Sequence, residues 1–286
     1  MQSELQDYAH SLGKKLVKAC SISEIEDVNN ATQRQEWAQA KVDEALSGGW
    51  DGANVDYEGH DPRLTDGYNQ AVIELCNAFH AALPGSEVSI DAPFYPSYEF
   101  RNYGYAEIAS ACDYLFVMAY DGEFWDNVQC AAPSAAANCS MGTASLQMCE
   151  LGVQQYLALG VPPEKLYLGL PWYGLLYEYV AGIPFFDGQK TYAQVQAIMA
   201  AAGDKGTLTF NERESVWRFK CGGFCVEGKR ATEVWFDDPV SLAPKYALAA
   251  TYGLKGVGMW EATHVDYTPE GQADADAMWA AVCPAV

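Results

Sequence analysis

An α/β fold, a parallel sheet covered by helices, is what the sequence predicts, and three observations predict it. Short apolar runs recur along the chain: Lys15–Ala19, Gly52–Tyr57, Val88–Ala92, Tyr114–Ala119, Leu166–Leu170 and Gly256–Trp260. They are rich in β-branched or aromatic residues and bounded by Gly, Pro or Asp, as buried strands are. Segments with helical spacing of apolar residues lie between most of them, and strand alternating with helix argues for a parallel sheet with helices outside. The chain has 286 residues, half of them hydrophobic, enough for one (β/α)8 TIM barrel.

The elements follow in order. A helical stretch, Ser3–Leu12, feeds the first strand. Gln33–Leu46 turns Trp37, Val42 and Ala45 to one side, and Gly67–Leu83 does the same with Val72, Leu75, Cys76 and Phe79. Ser145–Leu159 and Pro239–Tyr252 have the same spacing. Six strands are recognisable where a closed barrel of this kind has eight. The expectation is therefore an N-terminally truncated barrel lacking its first two strands. Tyr177 to Glu233, rich in Gly and charge, interrupts the alternation and is expected to be a small insertion before the last strand. Residues 1–286 are expected to form a single catalytic domain, with the insertion at about 177–233.

Thirty-eight acidic residues against seventeen basic ones give a net charge of −21. Such a surface repels nucleic acid and anionic membranes; it suits a neutral partner such as a sugar, or simply keeps the protein soluble. No run of 18 apolar residues is present, so no transmembrane helix is expected. Met1–Leu12 lacks the apolar core of a signal peptide, which is expected upstream. Nine cysteines point to an oxidising compartment, lysosomal or extracellular. Cys221-Gly-Gly-Phe-Cys225 is expected to be a tight hairpin closed by a disulfide, the two glycines permitting the turn. With no CxxC pair and four histidines, no metal and no cofactor are expected. Asn30-Ala31-Thr32 and Asn138-Cys139-Ser140 have the glycosylation pattern. The chain is expected to be a monomer.

The run that carries chemistry is Asp51-Gly-Ala-Asn-Val-Asp-Tyr-Glu58. Side chains alternate along a strand, so Asn54, Asp56 and Glu58 share one face and Ala53, Val55 and Tyr57 the other. The apolar set suits packing on helices; the polar set points to the inside of the sheet. Residues two apart on a strand are about 6.5–7 Å apart. Asp56 and Glu58 therefore flank one small volume at the strand's C-terminal end, where barrel enzymes keep their sites. Glycoside cleavage needs an acid for the leaving oxygen and a second group for the developing cation. Two close carboxylates separate in pKa and so divide those roles. Asp51 has the opposite parity and is taken as a strand-start residue, and Asp91 ends a strand on the inner side.

The run resembles the DxxDxDxE signature of the glycoside hydrolase 18 chitinases. Phe116-Val-Met-Ala-Tyr-Asp121 is similar to that family's MxYD segment, and Gly169-Leu-Pro-Trp-Tyr-Gly174 to its GxPxYG segment. Val234-Trp-Phe-Asp-Asp-Pro239 and Gly256-Val-Gly-Met-Trp260 resemble the approach to, and the end of, its last strand. Asn54 departs from the pattern, as in one branch of the family. The resemblance implies an N-acetylglucosamine-containing oligosaccharide as substrate and a retaining mechanism in which that sugar's own acetamide is the nucleophile. It implies that Glu58 is the acid and then the base, that Asp56 holds the acetamide N–H, and that Tyr120 orients its carbonyl. Trp260 is implied as a platform beneath the reacting sugar, with Asn54, Met118, Asp121 and Tyr173 binding substrate. Because Asn54 cannot ionise, Asp56 is expected to ionise more readily than in a paired site. Two other readings stand beside this one: a chitinase-like lectin without catalysis, and an inactive fragment.

Overall fold

The computed structural model describes residues 2–59, 61–97, 101–122, 142–180, 183–222, 226, 229 and 231–282. The chain divides into two compact units, Met1–Val117 with Gln154–Tyr167, and Met118–Val153 with Leu168–Val286.

In the first unit, strands β1 (Lys18–Cys20), β2 (Gly52–Val55), β3 (Glu87–Pro93) and β4 (Tyr114–Met118) lie side by side in that order. β1 pairs parallel with β2, and β2 with β3, in the register Ala19–Asn54–Ser89. Parallel neighbours need a crossover; past the N-terminal helix α1 (Gln2–Ser11), helices α2 (Ala31–Gly48) and α3 (Thr65–Ala82) supply two of them. Asn30 caps α2 by accepting from the Thr32 N–H at 3.0 Å, and Gly49, at φ 68°, ends it in the left-handed conformation that glycine tolerates. α3 buries Tyr68, Val72, Leu75 and Phe79, while β2 and β3 bury Val55, Val88 and Ile90. Each such side chain is worth about 1.5–3 kcal/mol of apolar burial. Gly52 is required where β2 meets β3, since a Cβ there would lie 1.7 Å from the Glu87 carbonyl oxygen. Cys76 of α3 is disulfide-bonded to Cys112, which precedes β4.

The sheet continues through β5 (Leu166–Pro171) to β11 (Gly256–Trp260), giving six strands in the order β1-β2-β3-β4-β5-β11. β4 and β5 each contribute residues to both units. The second unit also holds a five-stranded sheet in the order β7-β6-β10-β9-β8. Its strands are β6 (Tyr173–Val180), β7 (Ile183–Thr191), β8 (Gly206–Asn211), β9 (Val216–Cys221) and β10 (Thr232–Phe236), and all four neighbouring pairs are antiparallel. Fully buried Glu233 locks this sheet: it accepts from Arg218 at 2.5 Å, from the Tyr179 hydroxyl at 2.9 Å and from the Trp235 indole. Behind it, the helix Pro239–Tyr252 carries Lys245, ion-paired to Asp237 with both side chains fully buried.

The antiparallel sheet takes in residues on both sides of the expected insertion at 177–233. It begins at Tyr173, directly after β5, and Val234–Phe236 belong to its antiparallel sheet. β1 starts at Lys18, later than expected; before it the Leu16 N–H donates to the Asp51 carboxylate at 2.8 Å and the Leu16 carbonyl accepts the Asp51 N–H at 2.8 Å. β2 stops at Val55, two residues short of the predicted end. Cys221 is disulfide-bonded, and the Cys225 half of the predicted hairpin lies outside the described residues, as does Asn138-Cys139-Ser140. Among the described cysteines, Cys20 and Cys149 are buried free thiols. Among the described residues no helix is long and apolar enough to cross a membrane, and no cluster of His, Cys, Asp or Glu is arranged to hold a metal.

Candidate functional site

In the first unit the site begins where β2 ends. The Asp56 N–H makes the last ladder bond, to the Cys20 carbonyl at 2.9 Å, and residues 56–59 then leave the sheet. The alternation survives this departure. Ala53 and Val55 are buried, and the Tyr57 ring stacks on Tyr68 at 5.4 Å. Asn54 is half-buried, while Asp56 and Glu58 reach water.

Asn54 has a definite task. Its carbonyl oxygen accepts from the Ser89 hydroxyl at 2.6 Å, and its amide donates to Asp91 at 2.7 Å. An amide does both at once without a charge; a carboxylate at 54 would set like charges against Asp91 unless one held a proton. Burial pushes the Asp91 carboxyl up to about 7, with Asp56 and Glu58 adding to the rise and the Asn54 amide opposing it. Asp56 is also raised above its ordinary range, first by withdrawal of its carboxyl from water and then by Glu58, with Arg101 working against both. Asn54 is uncharged and is not among the groups that raise it.

Glu58 leaves 60% of its side chain to solvent, and one of its oxygens, Oε2, accepts from both Nη1 and Nη2 of Arg101 at 3.3 Å. Arg101 itself is 5% exposed. No local signal in the sequence marks it. It reaches Glu58 with its neighbour Tyr103 pinned at the β2 exit: Tyr103 donates to the Gly59 carbonyl and stacks on Tyr68 at 3.8 Å. Asp51, the strand-start residue, stays away from this group. Burial disfavours its charge, but bonds from Leu16 N–H and His10 hold its carboxyl below the ordinary range.

The second unit gathers Tyr120, Asp121 and Tyr173. Tyr173 donates to Asp121 at 2.5 Å, and its hydroxyl is raised well above the ordinary tyrosine range by burial and then by the Asp121 charge. Asp121 sits at φ 57°, a left-handed backbone that is costly for a residue with a Cβ. Thr143, fully buried, takes up its N–H at 2.8 Å. Tyr120 packs against the cluster of Tyr173, Leu175, Tyr177, Val216 and Trp235. His264 stands edge-on to Tyr173 at 6.0 Å, kept below the ordinary histidine range by burial against the opposing Glu261 charge. Met118 closes β4, half-buried. Trp260, at the end of β11, is 48% exposed, and its carbonyl accepts the Trp172 N–H at 2.8 Å. Thr143 and His264 are, like Arg101, additions that the sequence did not single out.

An acid beside a second carboxylate at a strand exit is the chemistry of glycoside hydrolases, and comparison with known proteins places this chain among them. It belongs to the glycosyl hydrolases family 18, whose pattern matches residues 22–264. Di-N-acetylchitobiase of Rattus norvegicus is 31% identical over 99% of this chain and 80% of that protein. Di-N-acetylchitobiase of Homo sapiens is 30% identical over 99% of this chain and 76% of that protein. The fold is similar to the crystal structure of a chitinase from Chromobacterium violaceum, with a TM-score of 0.76 and 20% identity, covering all of this chain and 84% of that one. It is also similar to a Cycas revoluta chitinase solved with (GlcNAc)3, with a TM-score of 0.72 and 20% identity, covering 94% of this chain and 80% of that one.

Proposed function

We propose that this enzyme hydrolyses β-1,4 N-acetylglucosamine linkages, in chitooligosaccharides or the chitobiose core of N-linked oligosaccharides, by a retaining, substrate-assisted mechanism. The observation that carries the reading is the Asp56–Glu58 pair at the end of β2, in a chain whose relatives include di-N-acetylchitobiases. Glu58, open to water, protonates the glycosidic oxygen. The 2-acetamido carbonyl attacks C1, and the C1–O bond to the leaving sugar breaks. Asp56 accepts from the acetamide N–H and balances the charge of the oxazolinium ion. Tyr120 donates to the carbonyl oxygen, and Asp121 with Tyr173 fixes the turn that carries Tyr120. Glu58 then takes a proton from water, which opens the ring with configuration retained. The orienting groups make the attack intramolecular, which is where most of the rate is gained. Asn54 and Met118 line the same reading as substrate-side residues, and Trp260, half open to water, is the platform for the sugar face. In this reading the six-stranded sheet is part of an eight-stranded barrel, the chain is one catalytic domain, and the enzyme is a lysosomal or extracellular monomer. The test is incubation with N,N′-diacetylchitobiose and longer oligomers, with products resolved by anomer in an NMR time course. The β-anomer is expected first; first release of the α-anomer overturns the mechanism.

A further inference from the structure

Glu58 and Arg101 make an unequal pair. The carboxylate is 60% exposed and belongs to an irregular exit loop, whereas the guanidinium is 5% exposed. The buried partner is also the better fixed. The Arg101 carbonyl accepts the Tyr105 hydroxyl at 2.8 Å and the Tyr103 N–H at 2.9 Å. Tyr103 in turn stacks on Tyr68 and donates to Gly59, the residue next to Glu58. Both terminal nitrogens of Arg101 converge on one oxygen, Oε2, at 3.3 Å. A guanidinium has only donors, so an oxygen that accepts from it twice is the oxygen least able to hold a proton.

Resting on the function proposed above, we infer that Arg101 is a positioning residue for the acid: it holds Oε2 of Glu58, so that Oε1 carries the proton and delivers it. In the forward step the Oε1–H bond breaks as the proton passes to the leaving oxygen and the C1–O bond opens. Glu58 is left as a carboxylate whose new charge faces the Arg101 cation. In the second step water returns a proton to Oε1. Arg101 touches neither the sugar nor the reacting atoms, and its effect passes through the orientation and charge of Glu58.

That role has a signature. A group that serves the acid matters most when the leaving group is a poor one, because a sugar alcohol must be protonated as it departs, whereas a nitrophenolate departs with little help. The experiment compares Arg101→Met, Arg101→Lys and wild type on two substrates with the same reacting sugar: the chitooligosaccharide turned over fastest, and the matching 4-nitrophenyl glycoside. Thermal unfolding is followed on each variant. Arg101→Met is expected to lose about 10- to 100-fold in kcat/KM on the oligosaccharide, part of the range general acids supply, and under about 3-fold on the nitrophenyl glycoside. Arg101→Lys, which keeps a charge but not the fork, is expected to recover part of the loss on the oligosaccharide alone. Equal losses on both substrates, or none on either, overturn the inference. If Arg101→Met does not fold, the same split is read from Arg101→Lys. Glu58→Gln is run in parallel: full activity of that variant on the oligosaccharide sinks the acid assignment itself, an outcome distinct from failure of the Arg101 role.

Discussion

Glu58 and Tyr173 each follow a strand of the parallel sheet, yet Glu58 leaves 60% of its side chain to water while Tyr173 is 2% exposed. Their surroundings differ in the same sense. Around Glu58 lie the titratable groups Asp56 and Asp91, both raised by burial and by neighbouring carboxylates, and the Arg101 guanidinium. Around Tyr173 lie Thr143, Asp121 and an apolar cluster, bound to one another tightly enough to hold Asp121 at φ 57°. On the proposed function, the contrast follows from what each group would be asked to do. A residue that exchanges protons with substrate and water must reach both and can afford little packing. A residue that only orients another gains from being dry and over-bonded, because each alternative position then leaves a polar group unsatisfied.

The largest effect should come from the wet group. Glu58→Gln removes the transferable proton and keeps the shape, so turnover should fall at least about 10²-fold. Its stability should change less than that of Thr143→Val, at a buried site, because Gln keeps an acceptor for the buried Arg101 while losing the charge that faces it. Turnover near wild type would end the assignment, and a large drop in melting temperature would end the contrast. Thr143→Val tests the dry group from the other direction. The shape is again kept, but the Asp121 N–H loses its acceptor within a buried setting, which costs about 1–3 kcal/mol. Denaturant titration should report that loss, with a smaller fall in kcat as the turn carrying Tyr120 loosens. A Thr143→Val protein as stable as wild type would mean that the left-handed turn holds itself.

How much of this was legible in the sequence depended on whether the determinant was local. The parallel strands and the helices Gly67–Leu83 and Pro239–Tyr252 were readable because each buries one face at a regular spacing. The side-chain alternation from Ala53 to Glu58 was readable for the same reason, and it outlasts the strand itself. The antiparallel sheet of the second unit was not, because β7 and β8 leave residues such as Phe185, Phe186 and Leu208 in water, so no apolar period marks them. The helix Tyr192–Ala202 did carry a signal that went unused: Thr191 and Gln194 form a reciprocal capping box. Asn54 was recognised as unusual, but its bridge from Ser89 to Asp91 is a cross-strand property that one strand cannot reveal. Arg101 and Thr143 lie still further out of reach, since each bonds a residue distant in sequence, Glu58 and Asp121, that only tertiary packing brings near.

The smallest expected effect concerns Asp91, which belongs to the wet group but is half-buried. Its carboxyl stands at about 7 in the folded protein against an ordinary 3.8, mainly because burial penalises its charge. Below the ordinary value both folded and unfolded chains hold the proton, and Asp91 costs nothing. As the pH rises from 3.8 to about 7 the unfolded chain releases its proton while the folded one retains it. The native state then binds more protons, so this group makes stability fall with rising pH across that window, by at most about 1.4 kcal/mol per unit. Asp91→Asn cannot titrate and should lack this component. Other carboxyls, such as Asp51 with its lowered value, slope the opposite way in both proteins and cancel in the difference. The readout is therefore the difference in unfolding free energy between wild type and Asp91→Asn, measured at steps between about pH 4 and 7. It should drift in favour of the variant as the pH rises, whatever its value at the lowest pH. Two parallel curves would show that Asp91 ionises normally, and that the proton held beside Asn54 has no part in setting the charge of this group.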